Sequence, residues 1–460
     1  MRDWSRANVD RPASKVENSI LDGFSLSQTD DTSAGQTEKK SEDQPNNQTP
    51  EPIDKSELNS VRQKLIENGI DPDKLDVPIA VREPIPSTVT PEEQSHFDNH
   101  ATQVPCTIND SEAGLSRNAP VGIIRDQISA RDFSEYKDQP DALKSYFRDH
   151  ATAVLNAMTN TLQQNFLQPD STLRVMSVSN GTTVVDASVT VLEKFRSDPD
   201  KYAENIKQLL GDEKGSQFIE ERKKELADQS SSPGEHSEVH LQPGVCADVR
   251  KPQDKPSASD GPPESPLAKE LFQKIAAQFE TVMENDPQFK EAHDRYRETA
   301  RQVAEKGGII VLAVSNNGGL AEEMGANLKP GSEYSLFSMS DHVISVGGSD
   351  INGTPGDNSD DRMWENSSRG MERYPPTVVA PASIPTRQTP SGRISGTSFS
   401  APIVANTVGL MLTQNPALGF NDVKRLLQDN AQRIPGVDSE LQGAGALRIA
   451  DAVLAARRTR

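Results

Sequence analysis

Between Asp286 and Ser315 the chain carries a helix and a strand, each with its own punctuation. Asp286 offers a side-chain acceptor to unpaired first-turn amides, and Pro287 has the backbone angle that the first helical position prefers. Gly307 and Gly308 then end the run, and IIVLAVS follows from Ile309. A β-branched stretch that is apolar at every position predicts a strand covered on both faces, which implies a parallel sheet between helical layers. Ser265 and Pro266 open another helix in the same way, with Leu267, Leu271, Ile275, Phe279 and Val282 at helical spacing. The rhythm is also present upstream, where VGIIR, ALKSYFRDHATAVLNAMTNTLQQNF and LRVMSVS read as strand, helix and strand between residues 121 and 179. It continues downstream through HVISVGG, PTVVAP and the helical NDVKRLLQDNAQ. The expected fold class is α/β, with a mainly parallel sheet flanked by helices in three layers.

Composition marks where this pattern stops. The hydrophobic fraction is 33%, with 32 Pro and 29 Gly, which is too apolar-poor for all 460 residues to share packed cores. Residues 1–54 are rich in Ser, Thr, Gln, Asn, Asp and Glu and are expected to be a disordered polar tail. From Ser56, Leu58, Val61 and Leu65 lie at helical spacing up to Gly69, and VPIAV at 77–81 reads as a strand. Residues 183–265 break the rhythm with one amphipathic helix, carrying Tyr202, Ile206, Leu209 and Leu210, followed by a Pro/Ser/Gly-rich run. That segment is expected to be an insertion between the two parts of the domain, 55–182 and 266–460.

A net charge of −20 argues against nucleic acid and anionic membrane as partners, because both would be repelled. Two cysteines, Cys106 and Cys246, allow at most one bridge. The N-terminus has no apolar core of a secretory signal, and no run of about 18 apolar residues occurs. The expected setting is cytoplasmic, or export by a dedicated secretion system as for a bacterial effector.

The chemistry-bearing stretch is SGRISGTSFSAPIVANTVGLMLTQNP, from Ser391 to Pro416. Gly396, Thr397 and Ser398 stand directly before an apolar, small-residue helix, where amide donors lack partners and the dipole favours negative charge. A hydroxyl there serves either as a cap or as a nucleophile. The stretch resembles the nucleophile motif G-T-S-x-x-x-P of the subtilisin-like serine proteases, the subtilases, which implies Ser398 as nucleophile. In the same order as in that family, VLAVSNNGG resembles V-x-A-A-G-N-x-G and implies Asn316 as an oxyanion-hole amide, although Asn-Asn-Gly-Gly also suits a turn. DHVISVGG, ENSSRG and PTVVAPASI resemble the blocks between that Asn and the nucleophile, and LQGAGALRIADAVLAA resembles the terminal segment. RVMSVSNG resembles the substrate-binding strand and turn, which implies that Ser179, Asn180 and Gly181 line a peptide-binding edge.

The N-terminal half departs from the family pattern. HATQVPCTI keeps some of H-G-T-H-V-A-G-T-I and implies His100 as general base, with Pro105 inside an expected helix. The strand VPIAV is followed by Arg82, Glu83 and Pro84 where the family has D-[ST]-G, so Glu83 is the positional candidate for the acid. Asp98 is too close to His100 along the chain, and Asp76 precedes the strand. The acidic residues Asp350, Asp357, Asp360 and Asp361, and the pair His236 and His240, lack a ligand spacing that compels a metal site. The resemblance implies a serine endopeptidase that acts on protein or peptide substrates without metal or organic cofactor. The competing expectation is a pseudoprotease that binds peptides.

Overall fold

The computed structural model describes residues 55–83, 85–86, 103–105, 108, 115–125, 127–128, 131–179, 181–230, 265–325, 327–350, 361–385 and 393–459. All of them lie in one compact unit spanning residues 51–460. The expected tail 1–54, His100, Asn180, both cysteines, His236 and His240, and Asp357 and Asp360 lie outside the described residues.

Helix α1 (Lys55–Glu67) precedes strand β1 (Ile79–Arg82), and β2 (Ile85–Pro86), β3 (Val121–Ile124) and β4 (Gln127–Ile128) follow. Next come α2 (Ala142–Phe166), β5 (Val175–Val178), α3 (Val184–Ser197), α4 (Ala203–Leu210), α5 (Asp212–Ser230), α6 (Pro266–Asn285), α7 (Pro287–Glu305) and β6 (Ile309–Ala313). After α8 (Gly318–Glu323) come β7 (Ile344–Asp350), β8 (Arg362–Met363), β9 (Val378–Pro381), β10 (Ser383–Pro385), β11 (Arg393–Ser395) and α9 (Thr397–Gln414). The last elements are α10 (Phe420–Asp429), β12 (Ala431–Gln432), α11 (Ser439–Gln442), β13 (Ala446–Leu447) and α12 (Ile449–Arg458).

The main sheet runs β12-β13-β9-β7-β6-β5-β1-β3, with β8 paired to β7. Its core pairs β3/β1, β1/β5, β5/β6, β6/β7 and β7/β9 are all parallel, while β12/β13 and β7/β8 are antiparallel. Every residue of β6 is buried, as the uninterrupted apolar run requires. Alternation along the strands divides the two faces. Ile79, Val81, Val175, Val311, Ile344 and Val378 share a core with α1, α9, α10 and α12. The intervening Met176, Ile310 and Leu312 are also buried, on the face that carries α2, α3, α6 and α7.

The helix starts follow the expected chemistry. Ser265 accepts from Ala268 N–H, and Asp286 accepts from the N–H groups of Gln288 and Phe289. The α1 run closes at Gly69, whose φ of 73° suits a residue without Cβ. The 183–265 segment holds more ordered helix than its spacing marks: α3, α4 and α5 occupy residues 184–230, where one helix was expected. Val184, Val185, Val191 and Phe195 of α3 are buried, and α3 packs on α6, so the chain re-enters the core immediately after the 179–183 edge. Tyr202, Ile206 and Leu210 are buried as expected, and Leu209 is half-buried.

Candidate active site

Parallel strands all end on one side of a sheet, and in open α/β folds that side collects the chemistry. The registers align Arg82 with Val178 and Val178 with Leu312, so Glu83, Ser179 and Ala313 are each one step beyond a common level. Asn316 follows three residues after the end of β6, and Ser398 occupies the first turn of α9, which crosses the same sheet.

Ser398 is 6% exposed. The preceding Gly396 is extended and donates its N–H to Ala382 O at 2.8 Å. A Cβ on Gly396 would come within 2.9 Å of Ser398 Oγ and 3.5 Å of Asn316 Nδ2, so the glycine leaves open the space where these two polar atoms converge. Thr397 fixes the Asn316 amide. Its N–H and its hydroxyl donate to Asn316 Oδ1 at 2.9 and 2.8 Å. A backbone N–H can only be accepted by oxygen, so this contact assigns the amide orientation and leaves Nδ2 as the donor on the Ser398 side. Asn316 is itself exposed, between buried Val314 and Asn317.

The loop that carries Asn316 begins in an unusual conformation. Ser315 has φ 101°, a region that side-chain-bearing residues rarely adopt, and it stands where the related motif has glycine. Its carbonyl accepts from Ser368 N–H at 3.2 Å, and Ser368 Oγ accepts from Asn317 N–H at 2.9 Å. The 365–370 block therefore grips the loop from one side.

On the substrate-edge side, Ser179 is buried and a Cβ on Gly181 would overlap the Ser335 hydroxyl. Leu336 N–H donates to Thr182 O at 3.0 Å, which lays the 331–336 loop along this edge. Thr183 and Asp186 form a reciprocal capping box at the start of α3. Burial pushes the Asp186 carboxyl above its ordinary range, against the opposing pull of its bonds to Asn317 and Thr183.

Glu83 is 3% exposed at the end of β1, with its N–H donating to Ile124 O at 3.0 Å. Arg82 before it is fully buried, and its guanidinium lies 5.8 Å from the Phe337 ring centroid. His100 and Asn180 are outside the described residues, so no contact is assigned to either. Downstream of His100, Val104 and Ile108 are buried in the core that also contains Ile403, Val404 and Ala405 of α9. Asn406 of α9 reaches Ile108 O at 3.4 Å and accepts from Ser116 Oγ at 2.9 Å. Of the expected residues, then, Ser398 and Asn316 adjoin through Gly396 and Thr397, Ser179 and Gly181 line the neighbouring strand end, and Glu83 closes β1. Thr397, Asn317, Thr183, Asp186 and Ser368 were not marked as site residues. The T-x-x-D spacing at 183–186 was the one legible sign of them.

Among the described residues no group of three or more His, Cys, Asp or Glu is placed to hold a metal ion, and no helix is long and apolar enough to cross a membrane. Residues 261–445 match the family model of the Subtilase family. The chain is 31% identical over 183 residues to Serine protease AprX of Bacillus subtilis (strain 168), covering 35% of this chain and 39% of that protein. It thus spans well under half of that relative's length. Among solved structures, the prenylagaramide maturation protease PagA superposes with a TM-score of 0.40 at 12% identity, over 86% of this chain and 98% of that one. The PatG macrocyclase in complex with peptide gives 0.41 at 10% identity, over 87% and 95%. The matched span contains the β6 loop with Asn316, the 365–370 block and the Ser398 helix, so the similarity to the Subtilase family lies in residues 261–445.

Proposed function

We propose that this protein is a serine endopeptidase that cleaves protein substrates through an acyl-enzyme. The observation that carries the reading is the Thr397-anchored Asn316 amide, whose Nδ2 faces the same open space as Ser398 Oγ. In this reading Ser398 attacks the scissile carbonyl while His100 takes its proton, and Glu83 orients the imidazole and stabilises its charged form. The carbonyl oxygen becomes an oxyanion that accepts from Asn316 Nδ2 and from the Ser398 N–H, both donors being positioned before the charge develops. His100 then protonates the leaving amine, and water releases the acyl group by the same steps in reverse order. The extended peptide lies along Ser179, Asn180 and Gly181. Subtilisin is the standard example of such an Asn donor, whose removal there costs about 10²–10³ in turnover, and the same range is expected for Asn316→Ala here.

The second reading, a peptide-binding protein without efficient catalysis, draws on Pro105 lying in a helical turn just after His100 and on Glu83 following the fully buried Arg82. An aryl phosphonate that esterifies activated serines separates the two. Labelling of the wild-type chain that is lost in Ser398→Ala and in His100→Ala supports the peptidase. A folded wild-type protein that stays unlabelled and hydrolyses no casein supports the binder.

A further inference from the structure

Asn317 is 6% exposed, and its side-chain Nδ2 lies within hydrogen-bond distance of three oxygens from two parts of the molecule. These are Thr183 Oγ1 at 2.9 Å, Asp186 Oδ1 at 3.0 Å and Ser315 Oγ at 3.2 Å. The Thr183 hydroxyl is fully used as well. It donates to Asp186 Oδ2 at 2.8 Å and accepts from Asp186 N–H at 2.9 Å, besides meeting Asn317. Asp186 Oδ2 also accepts from Thr183 N–H at 3.2 Å, and Val185 N–H donates to Ser332 O at 3.2 Å. A helix cap needs only the Thr183 and Asp186 exchange. The third partner, 131 and 134 residues away in sequence, is not required by the helix. Asn317 is the residue immediately after Asn316, and it reaches back to the hydroxyl of Ser315, whose φ of 101° a side-chain-bearing residue keeps only where its surroundings enforce it.

We infer that Asn317 is a positioning residue for the Asn316 donor: locked to the Thr183–Asp186 box, it holds the Ser315 backbone in its strained conformation and thereby aims the Asn316 amide at Ser398. The same lock ties the donor loop to the 179–183 edge, so the peptide-binding edge and the oxyanion donor move as one body. Proximity effects make such aim valuable, because a displacement of about 1 Å costs on the order of 100-fold in rate. The inference rests on the peptidase reading for its kinetic consequence, but not for its structural one.

The test uses the full chain and two independent readouts. In the first, kcat and KM are measured on a chromogenic peptide for Asn317→Ala, Asn316→Ala and the double variant. Asn317→Ala is expected to lower kcat by about 10- to 100-fold with KM little changed, and to add almost nothing once Asn316 is already Ala. An equal loss in both backgrounds would mean that Asn317 acts independently of Asn316 and would overturn the proposal. Thr183→Ser, which keeps the hydroxyl, is expected to retain the wild-type rate, while Thr183→Val reproduces the loss. In the second readout, backbone hydrogen exchange at Asn317 and Ser368 is compared in wild type and Asn317→Ala, which needs no activity. Faster exchange at both amides is expected, and unchanged exchange would sink the lock. A wild-type chain that neither hydrolyses nor labels would defeat the peptidase reading alone, leaving exchange to judge the lock.

Discussion

The two faces of the sheet are packed with different materials. On the Ser398 side, Ala401, Val404, Ala405 and Val408 of α9 share one core with Ile79, Val81, Val311 and Val346 of the sheet, and that core is mostly Ala, Val, Leu and Ile. Gly409 allows a close approach: a Cβ there would stand 3.0 Å from Leu75 Cδ1 and 3.3 Å from Ile79 Cδ1. On the other side the helices interlock through rings. Phe147 stacks on Phe279 at 4.6 Å, and Phe133 makes edge contacts with Tyr146 and Phe195. Small residues bring a helix axis close to the sheet and leave it few alternative positions, whereas large rings bury much area per residue and fill irregular gaps. The difference suggests a division of labour. On that division the ring-rich face is expected to dominate stability and the small-residue face the positioning of Ser398.

Three substitutions would break or sharpen that division. Phe279→Ala removes a fully buried ring and is expected to cost about 3–5 kcal/mol in urea unfolding, with kcat per folded molecule unchanged. A large fall in kcat would break the division.

His150 makes the ring-rich face sensitive to acid. It stacks on Tyr146, and burial pushes its pKa down to about 4 from 6.5. The unfolded chain therefore binds more protons between these values, so stability is fully present above pH 6.5, declines as pH falls and is lost to this group by about 4. Between pH 7 and 4 the wild type is expected to lose up to about 3 kcal/mol more than His150→Phe, read from paired thermal melts. Parallel pH profiles for the two proteins would contradict this assignment.

The smallest stability change should bring the largest functional one. Gly409→Val overpacks against Leu75 and Ile79, both buried, at a cost of about 1–3 kcal/mol. It is expected to lower the rate of phosphonate labelling at Ser398 at temperatures where the variant is still folded, because α9 has to shift to admit the methyl groups. An unchanged rate would assign the precision to the 396–398 turn and not to the packing of α9.

What could be read from the sequence follows the range of the forces involved. Strands such as 309–313 and helix starts such as Ser265-Pro266 and Asp286-Pro287 were legible because their signals are local: a continuous apolar run, a capping oxygen and a proline φ. Ser398 and Asn316 were named from motifs, and in the structure Thr397, the neighbour of Ser398, donates to Asn316 Oδ1. α5 was missed because its charged run DEKGSQFIEERKKELADQS buries Phe218 and Ile219 but shows little continuous apolar face. Ser315 gave no warning, since serine does not announce a positive φ as glycine does. The Asn317 lock was illegible for a different reason: its partners are far away in sequence and meet only after the sheet has brought β5 and β6 side by side.

The closing of α12 over α1 sets a schedule. Lys64 Nζ meets Asp451 Oδ1 at 2.6 Å and Arg457 Nη1 meets Asn68 O at 2.6 Å, across 387 and 389 positions, and both helices pack into the core that supports α9. During synthesis α1 emerges long before its partner exists, so the buried surface beneath the Ser398 helix stays incomplete until translation has passed α12. Loop-closure entropy makes such distant pairings slow as well as late. A ribosome-tethered chain halted before residue 449 would therefore carry every described residue of the candidate site and still lack the wall that holds it in place.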